Sequence, residues 1–407
     1  MREMKDSGVP WIGEIPKEWE VGKVHKYYRF QTGFTPASEK TDYYDDKGAE
    51  WITISDLTGK RIIPSETKKH ISNLYLQEFK PVVCPTGSLL YSFKLSVGQT
   101  AFVDRDIYTN EAIACFFPND SLRFLFYSSS LIENNAQINI YGAKLLNQKR
   151  IYDAPIVYPP LDEQLRIAGF LDAKCAEIDS VLEKTKASIE EYRKLKQSVI
   201  TEAVTKGVRG KRPMKDSGVE WIGEIPAEWG ILALKALCSM KAGKNLTTEQ
   251  ITDEGAYPVY GGNGLRGYYH YYLVDGDYLL IGRQGALCGN VHRVSGKIWP
   301  TEHAVITTPS EMAIIHYLYY LLISANLNQY SSDSAAQPGL SVGVIHDIRT
   351  PVPPLSEQQE IATYLDSKCA AIDALISSKE ALVAELETYK KSLIYEYVTG
   401  KKEVPAV

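Results

Sequence analysis

Two long stretches of the chain, residues 159–207 and 353–400, carry apolar residues at spacings that alternate between four and three. This heptad pattern predicts two helices, each with a narrow apolar seam. Polar residues interrupt the two seams at matching places, Thr185 and Lys379. The predicted seam positions are Leu171, Ile178, Leu182 and Ile189 in the first helix, and Leu365, Ile372, Ile376 and Val383 in the second.

A helix of roughly 40 residues measures about 60 Å, which exceeds the width of a small domain. Both stretches begin with Pro-Pro-Leu and have acidic residues in the first helical turn, where they suit the helix dipole. The two seams match position by position, as expected for helices that face each other. We therefore expect a long antiparallel two-helix coiled coil, related by a pseudo-twofold axis.

A second repeated segment stands at the start of each half of the chain. Residues 4–19 read MKDSGVPWIGEIPKEW and residues 214–229 read MKDSGVEWIGEIPAEW. We call these two stretches the WIGEIP segments. The long helices repeat at a shift of 194 residues rather than 210, so the second copy is shorter by 16 residues in its middle. The chain is therefore an internal duplication with similar frames and unlike middles.

Both middles show strand-like alternation and glycine-rich turns, followed by a short helical stretch. Residues 257–274, for example, predict a strand, a tight turn and a second strand. An α+β fold is expected for each middle. The predicted domains are residues 1–158 (first α+β domain), 159–207 (first helix), 208–213 (linker), 214–352 (second α+β domain), 353–400 (second helix) and 401–407 (tail).

The composition, with 44% hydrophobic and 23% charged residues, is that of an ordinary globular protein. A formal net charge of −5 does not exclude a polyanionic partner, because binding needs only a local basic face. Six widely spaced cysteines without a CxxC pattern favour reduced thiols. The N-terminus lacks the apolar core of a secretory signal, and the most apolar run, residues 313–327, is too short to span a membrane and predicts a buried helix. A cytoplasmic protein without membrane contact is expected.

Catalytic and cofactor motifs in the sequence are weak. Residues 262–267 match GxGxxG, but strand-forming residues follow them, so a hairpin turn is the better interpretation. Asp56, Glu78 and Lys80 match a nuclease carboxylate–lysine set only loosely. The sequence has no GxxxxGK[ST] loop, and its histidines form no metal-binding pattern. The chain therefore looks like a binding protein, with no catalytic residues and no metal site.

Three features together resemble the specificity (S) subunits of type I restriction–modification systems. They are the PPLxEQ opening of each long helix, the duplicated IAxxLDxKCxxID stretch that follows it, and the WIGEIP segments. In the second middle, YPVYGGNG and IGRQGA are also similar to target recognition domains of that family. The resemblance covers essentially the whole chain. The first middle departs further, with SFKLSVGQ where the second has IGRQGALCG.

The resemblance implies that this chain recognises DNA and catalyses nothing. Each middle would be a target recognition domain that reads one half of a bipartite, asymmetric double-stranded DNA site. The paired helices would set the spacer between the half-sites and would dock two methyltransferase (M) subunits, which bring S-adenosylmethionine and flip the target adenine. Restriction (R) subunits, which use ATP and Mg²⁺, would join the complex, and no cofactor is expected in this chain itself.

Arg, Lys, Asn and Gln read base edges best, and glycine-rich loops let the backbone approach a ligand. These criteria select candidate DNA-binding residues in both middles. Four tyrosines, Tyr268, Tyr269, Tyr271 and Tyr272, are candidates for stacking on bases, although alternation along a strand would place half of them in the core. The candidates for DNA binding are Lys94, Gln99, Asn139, Lys144 and Lys149 in the first middle, and Asn263, Arg266, Arg283, Gln284 and Gln337 in the second.

Two other functions are compatible with the sequence. One is a decoy or inhibitor that mimics the docking surface of an S subunit without reading DNA, although the intact, basic loops of the middles argue against it. The other is a metal-dependent nuclease built on Glu78 and Lys80. Cleavage of DNA with Mg²⁺ that is lost on Glu78→Ala would identify the nuclease.

Overall fold

The computed structural model describes residues 2–57, 61–94, 96–138, 142, 144–285, 287–332 and 339–405. The chain divides into two compact units: unit 1 comprises Met1–Lys184 and Val383–Val407, and unit 2 comprises Thr185–Leu382. The predicted boundaries make each long helix a domain of its own, whereas both unit boundaries fall inside the helices. Each half-helix packs on the globular part of one unit. Within the described ranges, no helix is long and apolar enough to cross a membrane.

Short strands and helices precede the first long helix. The strands are β1 Met4–Asp6, β2 Glu14–Pro16, β3 Glu20–Lys23, β4 Phe30–Thr32, β5 Tyr44–Ile52, β6 His70–Ile71, β7 Leu89–Ser92, β8 Thr100–Phe102, β9 Tyr108–Thr109, β10 Ile113–Phe116, β11 Gln137–Ile138, β12 Lys144–Leu145 and β13 Pro155–Tyr158. The helices are α1 Val24–Tyr27, α2 Asn73–Phe79, α3 Leu122–Ser128, α4 Ser130–Glu133, α5 Gln148–Tyr152 and the long α6 Leu161–Lys206.

Two sheets frame the globular part of unit 1. One has the antiparallel strand order β4-β10-β7-β8, and the other has the order β6-β5-β9, in which β5 and β9 run parallel. Successive side chains of β7 enter different cores, as the pleat of a strand requires. Leu89 and Tyr91 pack in one core with residues of α3, and Leu90 packs in another with Ala101 of β8. The central strands are therefore buried on both faces.

Unit 2 contains fewer and longer strands. They are β14 Met214–Asp216, β15 Glu224–Pro226, β16 Gly230–Ala233, β17 Cys238–Ala242, β18 Tyr257–Gly261, β19 Gly264–Tyr269, β20 Val274–Gly282, β21 Val291–Pro300, β22 Ala304–Pro309 and β23 Arg349–Val352. The helices that follow α6 are α7 Ile315–Ser324, α8 Val342–Asp347 and the long α9 Leu355–Val398.

The main sheet of unit 2 has the order β17-β22-β20-β21-β18-β19, with β18 parallel to β21. The same order occurs in unit 1, where β4, β10, β7 and β8 correspond to β17, β22, β20 and the first part of β21. The separate parallel pair β9 and β5 corresponds to the end of β21 and to β18. The predicted hairpin within residues 257–274 is confirmed as β18 and β19. The predicted buried helix within residues 313–327 is confirmed as α7, which lies in the main core of unit 2.

Main-chain hydrogen bonds occur at equivalent places in the two middles, although the middle sequences agree only loosely. They place Glu111 and Glu302 at equivalent positions. Each glutamate lies two residues before a strand, Glu111 before β10 and Glu302 before β22. The equivalent bonds are Phe93 N to Ala112 O (3.0 Å) with Arg283 N to His303 O (3.1 Å), Gly98 N to Ser92 O (2.9 Å) with Gly289 N to Gly282 O (2.8 Å), and Asn110 N to Ile52 O (2.9 Å) with Thr301 N to Tyr260 O (2.8 Å).

In unit 1, the first half of α6 packs against the last half of α9. The rings of Phe170 and Tyr397 lie 4.6 Å apart. Further along α6, Asp179 accepts a hydrogen bond of 2.6 Å from Lys390. Residue numbers rise along α6 while those of their partners fall, so these two helix segments are antiparallel.

In unit 2, the last half of α6 packs against the first half of α9. Arg193 donates to Glu380 over 2.8 Å, and Lys196 lies 2.7 Å from Asp373. The numbers again run in opposite directions, so these segments are antiparallel as well. The Lys196–Asp373 pair is the copy of the aspartate–lysine pair of unit 1, because a shift of 194 residues exchanges the two helices.

The predicted seam lies along these helix contacts. Seven of its eight positions are buried, and Val383 is half-buried. The predicted break at Thr185 is also buried, with 8% of its surface exposed. At the matching break, the ammonium group of Lys379 lies 5.6 Å from the ring centroid of Tyr192. The α+β fold class with paired long helices is thus confirmed.

Each long helix begins directly after Pro-Pro and ends before a glycine with positive φ, Gly207 at 77° and Gly400 at 69°. A left-handed residue just beyond the last turn is a frequent helix stop. The residues beyond α9 then pack on unit 1. Lys401 donates to the carbonyl oxygens of Ile12 (2.7 Å) and Glu14 (3.1 Å), both in the first WIGEIP segment. The first residue of the predicted polar tail, Lys401, therefore contacts the first WIGEIP segment.

Candidate nucleic-acid interface

The first WIGEIP segment is joined to α6 by a buried tryptophan. The indole of Trp19 donates to Glu163 over 2.9 Å, and Arg2 donates to the same carboxylate over 2.8 Å while lying 5.5 Å above the Trp19 ring. Burial raises the pKa of Glu163, but the hydrogen bonds from Arg2 and Trp19 outweigh it, so this pKa lies below its usual range. We call this arrangement the tryptophan joint.

The same joint recurs in unit 2. Trp229 donates to Glu357 over 3.0 Å, and Arg212 lies 2.5 Å from that carboxylate and 5.2 Å from the indole ring. The PPLxEQ opening and the WIGEIP segment are therefore two sides of one contact. Their duplication reflects a shared structural role at the start of each long helix.

A second joint connects α6 to the globular part of unit 1. Asp172 accepts hydrogen bonds from Tyr127 (2.6 Å), Arg61 (3.0 Å) and Arg123 (2.5 Å). Burial raises the pKa of Asp172, but these three donors outweigh it and lower the pKa. We call this arrangement the aspartate joint.

Unit 2 has the corresponding aspartate joint on α9. Asp366, 194 residues after the aspartate of unit 1, accepts from Tyr320 over 2.7 Å. Arg293 and His316 each lie 3.2 Å from its carboxylate oxygens. The tyrosine thus recurs, and His316 stands in place of Arg123 four residues before it. The other arginine comes from a different element, since Arg61 precedes β6 whereas Arg293 lies in β21. The two joints fix how each sheet sits on its helices, and thereby where its loops lie.

Most of the predicted DNA-binding residues of unit 2 lie in loops that meet at one end of the strands of the main sheet. We call this group of loops the tip of unit 2. A Cβ atom added to Gly262 would lie 3.1 Å from the carbonyl oxygen of His303 and 3.8 Å from the amide nitrogen of Arg283. Arg283 also accepts a main-chain hydrogen bond of 2.9 Å from Leu340. Main-chain contacts therefore hold the tip loops together.

Several side-chain atoms at this tip are buried without a hydrogen-bond partner among the described residues. They include Nε of Arg283, Oε2 of Glu302 and Nε2 of His292. The other oxygen of Glu302 lies 3.1 Å from His303. Burial lowers the pKa of His292, which favours its neutral form. Unsatisfied buried donors and acceptors are unfavourable unless water or a ligand completes them, so this tip suits the binding of a polar ligand.

The structure places four of the five predicted residues of unit 2. Asn263, Arg266 and Gln284 are exposed, and Arg283 is half-buried. Asn263, Arg283 and Gln284 belong to the tip loops, and Arg266 lies nearby on β19. Gln337 lies outside the described residues.

The equivalent loops of unit 1 form its own tip, with different chemistry. Lys94 lies 3.8 Å from Glu111, and the hydroxyl of Thr35 donates to the same carboxylate. Burial raises the pKa of Glu111, but the hydrogen bond from Thr35 and the charge of Lys94 contribute to a net lowering. The carboxylate of unit 1 therefore has partners within the protein, whereas one oxygen of its counterpart in unit 2 has none among the described residues.

Two more predicted residues lie at the tip of unit 1. Gln99 is half-buried in the β7–β8 loop, beside Gly98. Lys144 is exposed, and its ammonium group donates to Glu133 over 2.9 Å. A Cβ atom on Gly98 would meet the Glu133 side chain, so Lys144 and this loop are close together.

The structure does not bring Lys149 to this tip. It lies on α5 and donates to Asp153 over 3.2 Å, beside Lys23 of β3. The sequence selected Lys149 by its residue type, but α5 turns the chain back towards β13. Asn139 lies outside the described residues.

The four candidate tyrosines lie at the end of β19 away from the Gly262 turn. Tyr268 and Tyr269 are half-buried, and Tyr271 and Tyr272 are 67% and 44% exposed. None of the four is a core residue, so the expectation that alternation would bury half of them is wrong. The β18–β19 hairpin lies at the edge of its sheet.

The residues considered for a nuclease have structural roles. Buried Asp56 accepts two hydrogen bonds of 2.8 Å from Thr53 in a capping box. Glu78 accepts from Tyr43 over 3.0 Å, and Lys80 ends α2 in the left-handed conformation. Over the part of the chain that the structure describes, no group of three or more His, Cys, Asp or Glu residues could hold a metal ion.

Sequence reasoning missed the acidic residues of the joints and of the tips. A signal existed for Asp172 and Asp366, because both belong to the duplicated LD pair of the long helices. A weaker signal existed for Glu111 and Glu302, each of which stands two residues before an apolar strand in its middle. Neither signal identifies the partners of these carboxylates, which come from distant parts of the chain.

Comparison with known proteins gives a consistent result. The family model described as "Type I restriction modification DNA specificity domain" matches residues 16–191 and 226–387. The EcoprrI specificity subunit of Escherichia coli is 28% identical over 365 residues, or 84% of this chain and 86% of that protein. The MjaVIII specificity subunit of Methanocaldococcus jannaschii is 25% identical over 428 residues, or 96% and 94% of the two chains.

A solved structure from work on complex assembly and conformational transition of the type I R-M system is also similar. The TM-score is 0.70 at 17% identity, covering 95% of this chain and 99% of that one. At this identity the similarity shows a shared fold. The two matches to the specificity domain fall on the two middles and their helices. The chain therefore belongs to the type I restriction–modification specificity subunits and has two target recognition domains.

Proposed function

We propose that this subunit reads a bipartite, asymmetric site in double-stranded DNA, with one half-site at each tip. The observation that carries the proposal is that equivalent loops present unlike side chains. Lys94 and a partnered Glu111 occupy one tip, and Arg283 and Glu302 occupy the other. Sequence is read by the side chains that reach base edges, so two different half-sites need such a difference on a common scaffold.

The proposal includes a division of labour between subunits. This chain recognises DNA and catalyses nothing, while methyltransferase subunits supply S-adenosylmethionine and restriction subunits use ATP and Mg²⁺. The structural roles of Asp56, Glu78 and Lys80 favour this over the nuclease alternative.

Exposed apolar side chains on the long helices support the docking of two methyltransferase subunits. In unit 1, Val181 and Tyr389 are 46% and 54% exposed, and in unit 2, Leu375 and Leu195 are 46% and 47% exposed. A shift of 194 residues relates the two sets. Equivalent apolar faces suit two copies of the same partner, because exposed apolar area commonly marks an interaction site.

We also propose that α6 and α9 set the spacer between the half-sites. Removing one heptad from both helices, at positions that face each other, should shorten the spacer and leave both half-sites unchanged. Methylation mapping of DNA from cells that express the shortened protein gives both quantities at once. A changed half-site with an unchanged spacer would contradict this role.

The main test exchanges residues 230–352 for those of another specificity subunit, with co-expression of the methyltransferase subunit. Modification-sensitive sequencing should then show adenine methylation at a bipartite motif in which only one half has changed. Exchange of residues 22–158 is the matched control and should change only the other half. A change in both halves would refute the two-reader proposal, and binding of the methyltransferase without any methylation would indicate the decoy instead.

A further inference from the structure

The carboxylate of Glu302 is an unusual group for a surface that binds DNA. Its side chain is 38% exposed, yet Oε2 is buried and has no partner among the described residues. Phosphate groups repel a carboxylate, so this residue does not suit contact with the DNA backbone. In the major groove, a carboxylate has a matching partner in the amino group of a base, above all N4 of cytosine.

Arg283 supplies the opposite chemistry at the same tip. Its main chain is held by hydrogen bonds to His303 (3.1 Å) and Leu340 (2.9 Å), so the start of the side chain has a defined position. Its Nε is buried without a partner in the described ranges. A guanidinium group with donors still available matches O6 and N7 of guanine, which are both acceptors.

The tip of unit 1 is an internal reference for this argument. Glu111 occupies the position equivalent to Glu302, and Lys94 and Thr35 bind its carboxylate. That acceptor is therefore used within the protein. Lys94 lies two residues after the end of β7, and the residue two positions after the end of β20 is Gln284. Among the described residues, the ion-pair partner of Glu302 is His303, and no lysine or arginine takes the place of Lys94.

We propose that Glu302 and Arg283 recognise G·C base pairs in the second half-site. Glu302 accepts a hydrogen bond from N4 of a cytosine, and Arg283 donates to O6 and N7 of a guanine. The half-site read by unit 2 therefore contains at least one G·C pair that these side chains specify. This inference rests on the proposed function, because it assigns base contacts to one of its two readers.

The test uses the full-length chain with its methyltransferase subunit, and compares wild type with Glu302→Gln and Arg283→Lys. Methylation of a randomised library of bipartite sites is measured by sequencing. Glutamine prefers adenine, so Glu302→Gln should lower the preference for cytosine at one position of the second half-site by about 5-fold to about 150-fold and favour adenine there. Arg283→Lys keeps the charge but loses the planar fork, and should weaken the preference for guanine at one position.

The first half-site serves as the internal control, because its preferences should not change in either variant. Glu249→Gln, an exposed acid of unit 2 in the turn Thr248–Gln250, is the matched control and should leave both half-sites unchanged. A wild-type second half-site without a G·C pair would overturn the inference. Unchanged preferences in Glu302→Gln, or loss of methylation at all sites with an unchanged melting temperature, would overturn it too.

The outcome also separates this inference from the proposed function. If the wild-type complex methylates no bipartite motif, the proposed function itself fails. If it methylates a bipartite motif and the Glu302 and Arg283 variants retain every preference, only the assignment of these two readers fails.

Discussion

The joints of the two units are close copies, and their tips are not. Each tryptophan joint has a tryptophan and an arginine on one glutamate, and each aspartate joint has a tyrosine and at least one arginine on one aspartate. At the tips, equivalent loops carry a lysine-bound Glu111 in unit 1 and an incompletely partnered Glu302 in unit 2. A protein that reads two DNA sequences with one scaffold has to keep the joints that hold the scaffold and vary the side chains at the tips.

The joints also differ from each other in a measurable way. The side chain of Asp172 is 19% exposed and is bound by two arginines, whereas that of Asp366 is 41% exposed and is bound by one arginine and a histidine. Hydrogen bonds to a charged group are stronger where water is excluded. Unit 1 should therefore depend more on its aspartate joint than unit 2 does.

The largest expected effect comes from the tryptophan joints. Trp19→Ala and Trp229→Ala each remove a fully buried aromatic side chain and leave a glutamate without one of its donors. Each should lower the free energy of unfolding of its unit by about 3–5 kcal/mol. Denaturant unfolding monitored by circular dichroism measures the change. A loss below about 1 kcal/mol in one unit only would break the equivalence of the two joints.

The next effect distinguishes the aspartate joints. Asp172→Asn should lower the free energy of unfolding by about 2–3 kcal/mol, because three donors lose a charged acceptor in a partly buried site. Asp366→Asn should lower it by only about 1 kcal/mol, since that carboxylate is more exposed to solvent. Thermal unfolding of both variants tests the order, and a larger loss for Asp366→Asn would reverse our comparison.

A pH titration should separate the contribution of Asp172 further. Its pKa in the folded protein lies below the ordinary value of an aspartate because hydrogen bonds outweigh burial. A carboxyl group with a lowered folded pKa stabilises the protein above its unfolded pKa, and this contribution is lost as the pH falls through the folded value. The stability difference between wild type and Asp172→Asn should therefore shrink below about pH 4. If the stability difference between wild type and Asp172→Asn grew as the pH fell, the pKa of Asp172 would be raised rather than lowered by folding.

The smallest effect concerns the two copied ion pairs on the long helices. Lys390→Ala in unit 1 and Lys196→Ala in unit 2 each remove the half-buried lysine partner of an exposed aspartate. Each should lower the free energy of unfolding by about 0.2–1 kcal/mol, and added salt should reduce the loss. Unfolding at low and high ionic strength measures both, and unequal losses would reveal a difference between the units that their geometry does not indicate.

Periodicity predicted the elements whose contacts are repeated along the chain. The heptad spacing predicted both long helices to within a few residues, and seven of the eight seam positions are buried. Local turn chemistry predicted the β18–β19 hairpin in place of a dinucleotide motif. These predictions work because a helix face and a tight turn depend on residues that are close in sequence.

Site residues were harder to predict because their environment comes from distant parts of the chain. Residue type alone selected Lys149, which α5 places beside Asp153 instead of at the tip. The same criterion passed over Glu302, because a carboxylate is not expected on a DNA-binding surface. Only the packing of the loops brings Arg283 close to Glu302, because the amide of Arg283 donates to the carbonyl oxygen of His303, the residue after Glu302.

By itself the sequence determined the duplication, the two long helices with their seams, and the family, because each of these is written as a repeated local pattern. The tertiary structure alone decided why the duplicated glutamates and aspartates matter, and which loop residues share a tip. A buried carboxylate takes its chemistry from the donors around it, and those donors lie from 45 to 161 residues away in the joints of unit 1. No local pattern encodes such distances, since the folding of the intervening chain sets them.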